Sequence, residues 1–240
     1  MNTTLRLNDS NVLMVAHRGL SGLELENTAS AFVAAGNRSY FGIETDVHRT
    51  ADGQYICFHD DTTKRVALDD MIVEKTYFET LRSIRLADKD GQKGRRDLIM
   101  PSLEEYICIC KKYDKTAVLE LKNHFAPEHI DEIVEIIRGC GWLERTVFIS
   151  FDLPNMICIR ERLPEQPAQF LISQFTDWLV DTLKKYSLDL DIRYTALDAE
   201  KVKMVHDIGQ KVNVWTVDSL DDAHRMVEYG VDFITSNIIE

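Results

Sequence analysis

The chain has 240 residues, of which 45% are hydrophobic and 28% charged. This is ordinary globular composition, which excludes collagen-like, disordered and disulfide-scaffold classes. The formal net charge of −12 excludes a protein held to nucleic acid or an anionic membrane by its overall field. An anionic small molecule stays open, because a metal ion or a few local cations can reverse the sign inside a cleft.

The N-terminal stretch is polar. The first apolar run, Val12 to Ala16, is too short for a signal core or a membrane span. The expectation is a soluble, cytoplasmic protein with no integral membrane segment. The five cysteines, Cys57, Cys108, Cys110, Cys140 and Cys158, form no CxxC pair and read as buried, reduced thiols. A thiol nucleophile is the alternative.

Taken in chain order, Val12–Ala16 is a buried strand. Asn27-Thr28 opens a helix through Ala31, Phe32 and Ala35, ending near Gly36. Phe41–Val47 is a second strand, followed by an Asp52-Gly53 turn and a short extension, Tyr55–Phe58, able to pair with it. From Asp60 to about Pro101 the rhythm breaks into a charged excursion. A capping box, Ser102 with Glu105, then starts a helix running to about Tyr113. Strands follow at Thr116–Leu121, Thr146–Ser150, Ala168–Ile172, Ser187–Ile192, Lys211–Val217 and Val231–Thr235. Helices fall between them at Ala126–Arg138, Leu153–Leu163, Thr176–Lys185, Leu197–Ile208 and Leu220–Tyr229. Eight strands joined mostly by helices call for parallel pairing. In a chain of this length they predict one TIM (β/α)8 barrel spanning 1–240, with a small insertion of about 60–100 after the second strand. A doubly wound open sheet is the competitor, but no GxGxxG or GxxxxGK follows the first strand.

Polar residues gather at strand C-terminal ends, the face where barrels build their sites. Glu44 and Asp46 are two apart on a strand, so both carboxylates share a face. Close carboxylates repel unless one is protonated or a cation sits between them; a solvated strand end is the plain alternative. Glu120 and Lys122 repeat the geometry, as an internal ion pair or as a third oxygen ligand beside a phosphate-binding charge. Three carboxylates without Cys or His partners suit Mg²⁺ or Ca²⁺ rather than Zn²⁺. His17-Arg18-Gly19 follows the first strand, where the planar Arg18 fork suits a phosphate. His59-Asp60 ends the short extension. Two histidines near an anionic metal site could act as base and acid, although a lone histidine at a strand end is ordinarily a core residue. His48 and His129 read as solvent-facing, and His206 and His224 as helical and remote. His124 reads as a residue of the rim. Trp215 ends the seventh strand, as barrel packing or as an apolar wall for a small polyol.

In order and spacing, these blocks resemble the glycerophosphodiester phosphodiesterase family. The resemblance runs through His17-Arg18-Gly19, Leu25-Glu26-Asn27-Thr28, Glu44-Thr45-Asp46, Thr50-Ala51-Asp52-Gly53 and His59-Asp60. It continues through Glu120-Leu121-Lys122, Ser150-Phe151, Trp215-Thr216-Val217-Asp218 and Gly230-Val231-Asp232. It implies a TIM barrel that hydrolyses glycerophosphodiesters to sn-glycerol 3-phosphate and an alcohol. It further implies His17 and His59 as the acid–base pair and Glu44, Asp46 and Glu120 as ligands of a divalent cation. Arg18 and Lys122 become phosphate contacts and Trp215 a wall of the glycerol pocket. The rivals are a lysophospholipase D or cyclising phospholipase-type activity on the same barrel, and a non-catalytic binding barrel. Three departures stand out: Leu25 for the family's Pro, Thr235-Ser236-Asn237 for its Thr-Asp dipeptide, and the wording Gly19-Leu20-Ser21-Gly22. None is expected to touch the metal or acid–base residues.

Overall fold

The computed structural model describes residues 3–8, 11–67, 69–92 and 95–240. Its strands are β1 Leu13–Ala16, β2 Gly42–Arg49, β3 Tyr55–Cys57, β4 Thr116–Leu121, β5 Thr146–Ser150, β6 Ala168–Ile172, β7 Asp189–Arg193, β8 Val212–Trp215 and β9 Phe233–Ser236. Its helices are α1 Ala29–Gly36, α2 Phe78–Ser83, α3 Leu103–Lys112, α4 Pro127–Gly139, α5 Leu153–Arg162, α6 Leu179–Tyr186, α7 Ala199–His206 and α8 Leu220–Tyr229.

Eight strands, all but β3, are parallel neighbours, and β1 pairs with both β2 and β9. The sheet therefore closes on itself into a TIM barrel, as the alternation of strand and helix predicts. β3 is not a stave. It lies antiparallel to the outer end of β2, with Val47 opposite Cys57 and Arg49 opposite Tyr55. Gly53, at φ 79°, makes the turn between them, a left-handed conformation that glycine adopts without strain.

The main apolar cluster lies between the strands and the outer helices. A smaller one, Val15, Val118, Val147, Ile149 and Leu171, fills the barrel interior. Three buried polar side chains share that interior. Asn213 Nδ2 donates to Gln169 Oε1 (3.0 Å) and Thr235 Oγ1 to Asn213 Oδ1 (3.2 Å).

The excursion after β3 has more order than its sequence suggests. It holds α2, two 3-10 turns (Thr63–Arg65 and Val73–Lys75) and its own apolar cluster, which includes Val73, Leu81, Leu86 and Leu98. That cluster takes in Leu25, Ile56 of β3 and Phe58 just after it, so the insertion is packed onto the barrel. Some helices start later than periodicity predicts because the capping residue sets the boundary. Asp198 caps α7, accepting from Lys201 N, so the helix begins at Ala199. The cysteines are all free, but Cys108 is exposed and Cys140 half-buried. On α3, Cys110 takes the inward face and Cys108, two residues earlier, the outward one. Among the described residues, no helix is long and apolar enough to cross a membrane.

The capping box at α3 is formed. Ser102 Oγ accepts from Glu105 N (3.1 Å), and Ser102 N donates to Glu105 Oε2 (2.8 Å). Ser102→Ala is expected to cost about 1 kcal/mol, which lowers the melting temperature by about 2–4 °C at this chain length, measurable by thermal denaturation.

Candidate active site

Glu44 and Asp46 alternate with Thr45 on β2, so both carboxylates face the barrel axis near its C-terminal mouth. β4 lies beside β2 in register, pairing Asp46 with Glu120. The three acids are 3%, 1% and 8% exposed, and one oxygen from each lies within 4.8 Å of the others. Burial, then the charges of Asp46 and Glu120, hold the Glu44 carboxyl well above the ordinary range. Burial, then Asp46, pushes Glu120 up to about 7. Burial would raise Asp46 as well, but Lys122, Arg18 and His59, with an Asn27 hydrogen bond, hold it well below its ordinary value.

Two cations stand against this acid cluster. Lys122 Nζ lies 2.8 Å from Glu120 and 3.4 Å from Asp46. Arg18 donates from its backbone N to Glu44 (2.7 Å) and from Nη1 to Glu26 (2.8 Å). Its Nε lies 3.7 Å from Asp46 and is buried without a hydrogen-bond partner. Arg18 itself sits at φ 53° and Gly19 at φ 74°. A Cβ on Gly19 would come within 2.7 Å of the Ala31 backbone. Close approach to α1 as well as backbone sign therefore requires glycine there.

His17 Nδ1 is 2.8 Å from Asn237 Oδ1. The Asn237 amide nitrogens both donate to Asp218, Nδ2 at 2.6 Å and backbone N at 2.8 Å. Asn237 Oδ1 can therefore only accept, which places the His17 proton on Nδ1 and leaves Nε2 as a lone pair. Burial and the Arg18 charge push His17 down to about 4. His59 Nδ1 lies 2.6 Å from Asp60 Oδ1. Burial outweighs the nearby carboxylates and lowers His59 below its ordinary value.

One cavity joins these groups. His17, Arg18, Glu44, His59 and Glu120 line one part of it; Ile149, Phe151, Leu171, Asp191, Trp215 and Thr235 line the rest. Asp46 lies just behind, and Lys122 reaches the cluster from the neighbouring strand end. Trp215 packs edge-on to Phe151 (centroids 5.6 Å) beneath the Arg193 guanidinium (5.5 Å). His124 is exposed and faces Asp152 at 3.3 Å.

Several residues at the site have no local sequence signal for their role. Asn27 Nδ2 donates to Asp46 Oδ2 (2.8 Å), while Thr45 Oγ1 donates to Asn27 Oδ1 (2.7 Å), fixing the carboxylate's orientation. Arg65, in the insertion's first turn, forks onto Glu26 (2.6 and 2.8 Å) and Asp60 (2.6 and 3.2 Å). One guanidinium thus ties the partner of Arg18 to the partner of His59. His48 is fully buried rather than solvent-facing. It continues the inward alternation of Glu44 and Asp46, with Nδ1 3.0 Å from Glu74 and Nε2 3.3 Å from the His59 carbonyl. The insertion, through Glu74, covers what would otherwise be an open strand end. Two of the three departures need correction, because they touch His17; Leu25 does not. Asn237 contacts His17 directly, and Ser21 Oγ reaches both Asn237 Oδ1 (2.6 Å) and the His17 carbonyl (2.7 Å). Leu25 is absorbed by the insertion's apolar cluster.

The sequence model described as "Glycerophosphoryl diester phosphodiesterase family" matches residues 17–240. A glycerophosphodiester phosphodiesterase of Caldanaerobacter subterraneus subsp. tengcongensis is 28% identical over 229 residues, covering 94% of this chain and 93% of that protein. Among solved structures, an Oleispira antarctica phosphodiesterase in complex with the product sn-glycerol-3-phosphate matches with TM-score 0.86 at 26% identity, over 94% of this chain and 92% of that one. A Parabacteroides distasonis glycerophosphodiester phosphodiesterase matches with TM-score 0.79 at 26% identity, over 95% and 93%.

The repulsion within the acid cluster has a measurable consequence. The unfolded-state Glu44 ionises near its ordinary value, whereas the folded state resists losing the proton. Folding is therefore penalised increasingly as pH rises above the ordinary carboxylate range. Glu44→Gln, which keeps an acceptor for Arg18 N, is expected to raise the melting temperature of the chelator-treated protein at neutral pH. The gain should shrink as pH falls and the wild-type carboxyl takes up its proton; thermal melts across pH check this.

Proposed function

The chain belongs to the glycerophosphoryl diester phosphodiesterase family, and on that premise we propose that it hydrolyses glycerophosphodiesters to sn-glycerol 3-phosphate and an alcohol. The carrying observation is the convergence on one cavity of Arg18, two imidazoles and a buried cluster of three carboxylates. The whole chain is read as one catalytic barrel with 60–100 as an insertion, acting on a small-molecule diester.

Glu44, Asp46 and Glu120 offer a donor set of oxygens only, and their mutual repulsion marks a place where positive charge is missing. That fits a hard divalent cation, Mg²⁺ or Ca²⁺. Held by these three acids, such an ion would supply charge neutralisation at the phosphoryl oxygens, worth several kcal/mol. Arg18, anchored by Glu26 with its Nε still unpartnered, contacts the phosphate. Lys122 adds a second point charge beside it.

The two histidines are not equivalent. His17, its proton fixed on Nδ1 by Asn237, presents an unprotonated Nε2 and is kept neutral by burial and Arg18. It is suited to take the proton from the attacking hydroxyl. His59 has a carboxylate, Asp60, to stabilise its positive form, and is suited to deliver a proton to the departing alkoxide. Arg65 holds Asp60 in place and, through Glu26, also holds Arg18. Trp215 and Phe151 supply an apolar wall for the carbon skeleton of the alcohol moiety.

The test is release of sn-glycerol 3-phosphate from glycerophosphocholine and glycerophosphoethanolamine with Mg²⁺ or Ca²⁺ added, run beside a lysolipid. No release with any diester and either ion would defeat the assignment, and preference for the lysolipid would favour the lysophospholipase D rival. His17→Ala and His59→Ala should each lose about 10²–10⁴-fold in kcat with circular dichroism unchanged.

A second expectation concerns the cation. At a cation concentration about a hundredfold above its Kd, the melting temperature of the wild type should rise by roughly 5–10 °C. Glu120→Gln and Asp46→Asn should abolish most of that rise.

A further inference from the structure

Asp191 is a buried acid the mechanism above does not use. It lies on β7, is 2% exposed, and lines the same cavity as the histidines. Its Oδ1 is buried with no hydrogen-bond partner, and among the described residues no cation pairs with it. Glu44, Asp46 and Glu120, by contrast, each have Arg18 or Lys122. Its neighbours across the sheet make no hydrogen bond to it. Asn213, directly across from it on β8, already engages Gln169 and Thr235. Leu171, across on β6, is apolar. A buried carboxyl without a hydrogen-bond partner, with the charge of Glu120 acting on it as well, costs stability rather than adding it. A second group on the same cavity shares this state: Trp215 Nε1 is also buried without a partner.

Unsatisfied groups of this kind in a cavity wall point to a ligand that satisfies them. The charged part of the cavity serves a phosphate. The part that holds Asp191 is otherwise mainly apolar, with Ile149, Phe151, Leu171 and Trp215. A group that fits there is a carbon chain bearing hydroxyls.

We propose that Asp191 is a specificity-determining residue that hydrogen-bonds a hydroxyl of the glycerol unit, separating polyol phosphates from alkyl phosphates of the same size. This rests on the function proposed above. A carboxyl accepts from a hydroxyl in either protonation state, so the assignment does not depend on the charge of Asp191. Trp215 Nε1–H supplies a donor on the same wall for a second hydroxyl.

The test separates recognition from chemistry by measuring binding alone. sn-Glycerol 3-phosphate and its deoxy counterpart, n-propyl phosphate, are titrated calorimetrically into wild type, Asp191→Ala and Asp191→Asn with Mg²⁺ present. Wild type should prefer the glycerol ligand by about 10- to 100-fold, the worth of one strong hydrogen bond. Asp191→Ala should lose that preference by weakening sn-glycerol 3-phosphate alone, and Asp191→Asn, which keeps an acceptor, should recover much of it. The melting temperatures of the ligand-free variants should equal or exceed that of wild type, because the unpartnered carboxyl is gone. A preference undiminished in Asp191→Ala, equal weakening of both ligands, or a lowered melting temperature would overturn the assignment while leaving the proposed function standing. Failure of the wild type to bind either phosphate would overturn the proposed function and this assignment with it.

Discussion

Three buried carboxylates crowd one end of the barrel, and their mutual repulsion governs the arrangement around them. Glu44 and Asp46 share a face of β2, and register brings Glu120 of β4 beside them. At these separations and this depth, like charges cannot all be ionised without compensation. The surroundings supply it unequally. Lys122 spans Asp46 and Glu120, Asn27 and Arg18 face Asp46, and Glu44 receives a backbone N–H. Asp46 is thereby held ionised while Glu44 and Glu120 are pushed toward their neutral forms. The protein's own cations cover part of the charge and leave the remainder, which is what the proposed binding of a hard dication requires.

The insertion contributes to this arrangement more than its position outside the barrel suggests. Arg65 joins Glu26 to Asp60, and through them joins Arg18 to His59. Glu74 buries His48 under the carbonyl of His59. Salt bridges at partly exposed positions add little stability individually. A forked guanidinium shared by two carboxylates instead restricts geometry, and restricted geometry is what the phosphate contact and proton transfer proposed for Arg18 and His59 demand. The insertion's apolar cluster, anchored on Ile56, Phe58 and Leu25, fixes Arg65 and Glu74 to the same strand ends that carry the histidines.

Local pattern carried much of this in the sequence. Period-two spacing puts Glu44 with Asp46 and Glu120 with Lys122 on shared faces, and the Ser102–Glu105 spacing is a helix start by itself. The barrel follows from eight strand runs alternating with helices. What was not legible depends on contacts distant in sequence. Asn237 reaches His17 from the far end of the chain, and nothing near either residue announces it. Arg65 sits in a charged stretch that reads as surface. His48 obeys the same alternation as Glu44 and Asp46, but its burial depends on Glu74, 26 residues further on. Asp191 lies in the weakest strand run, weak because its polar residues dilute the apolar signal. A polar residue alternating inward within a barrel strand was the available cue.

These features divide the barrel interior by purpose. Below the cavity, Val15, Val118 and Val147 fill the interior, and every added contact favours folding. Toward the mouth, the same β4 that contributes Val118 to that packing presents Glu120, with Lys122 just past its end. There the groups work against stability: acids that repel, a histidine denied its proton, a carboxyl and an indole N–H without partners. A fold tolerates such a concentration only if the rest of it is well packed, because net stability is a small difference between large terms. Locally unfavourable groups confined to one cavity, above an otherwise close-packed barrel, are the physical signature of a surface selected for what binds to it. The orphan groups of Asp191 and Trp215 belong to the same design as the acid cluster, since both are incomplete until a ligand supplies the missing partner.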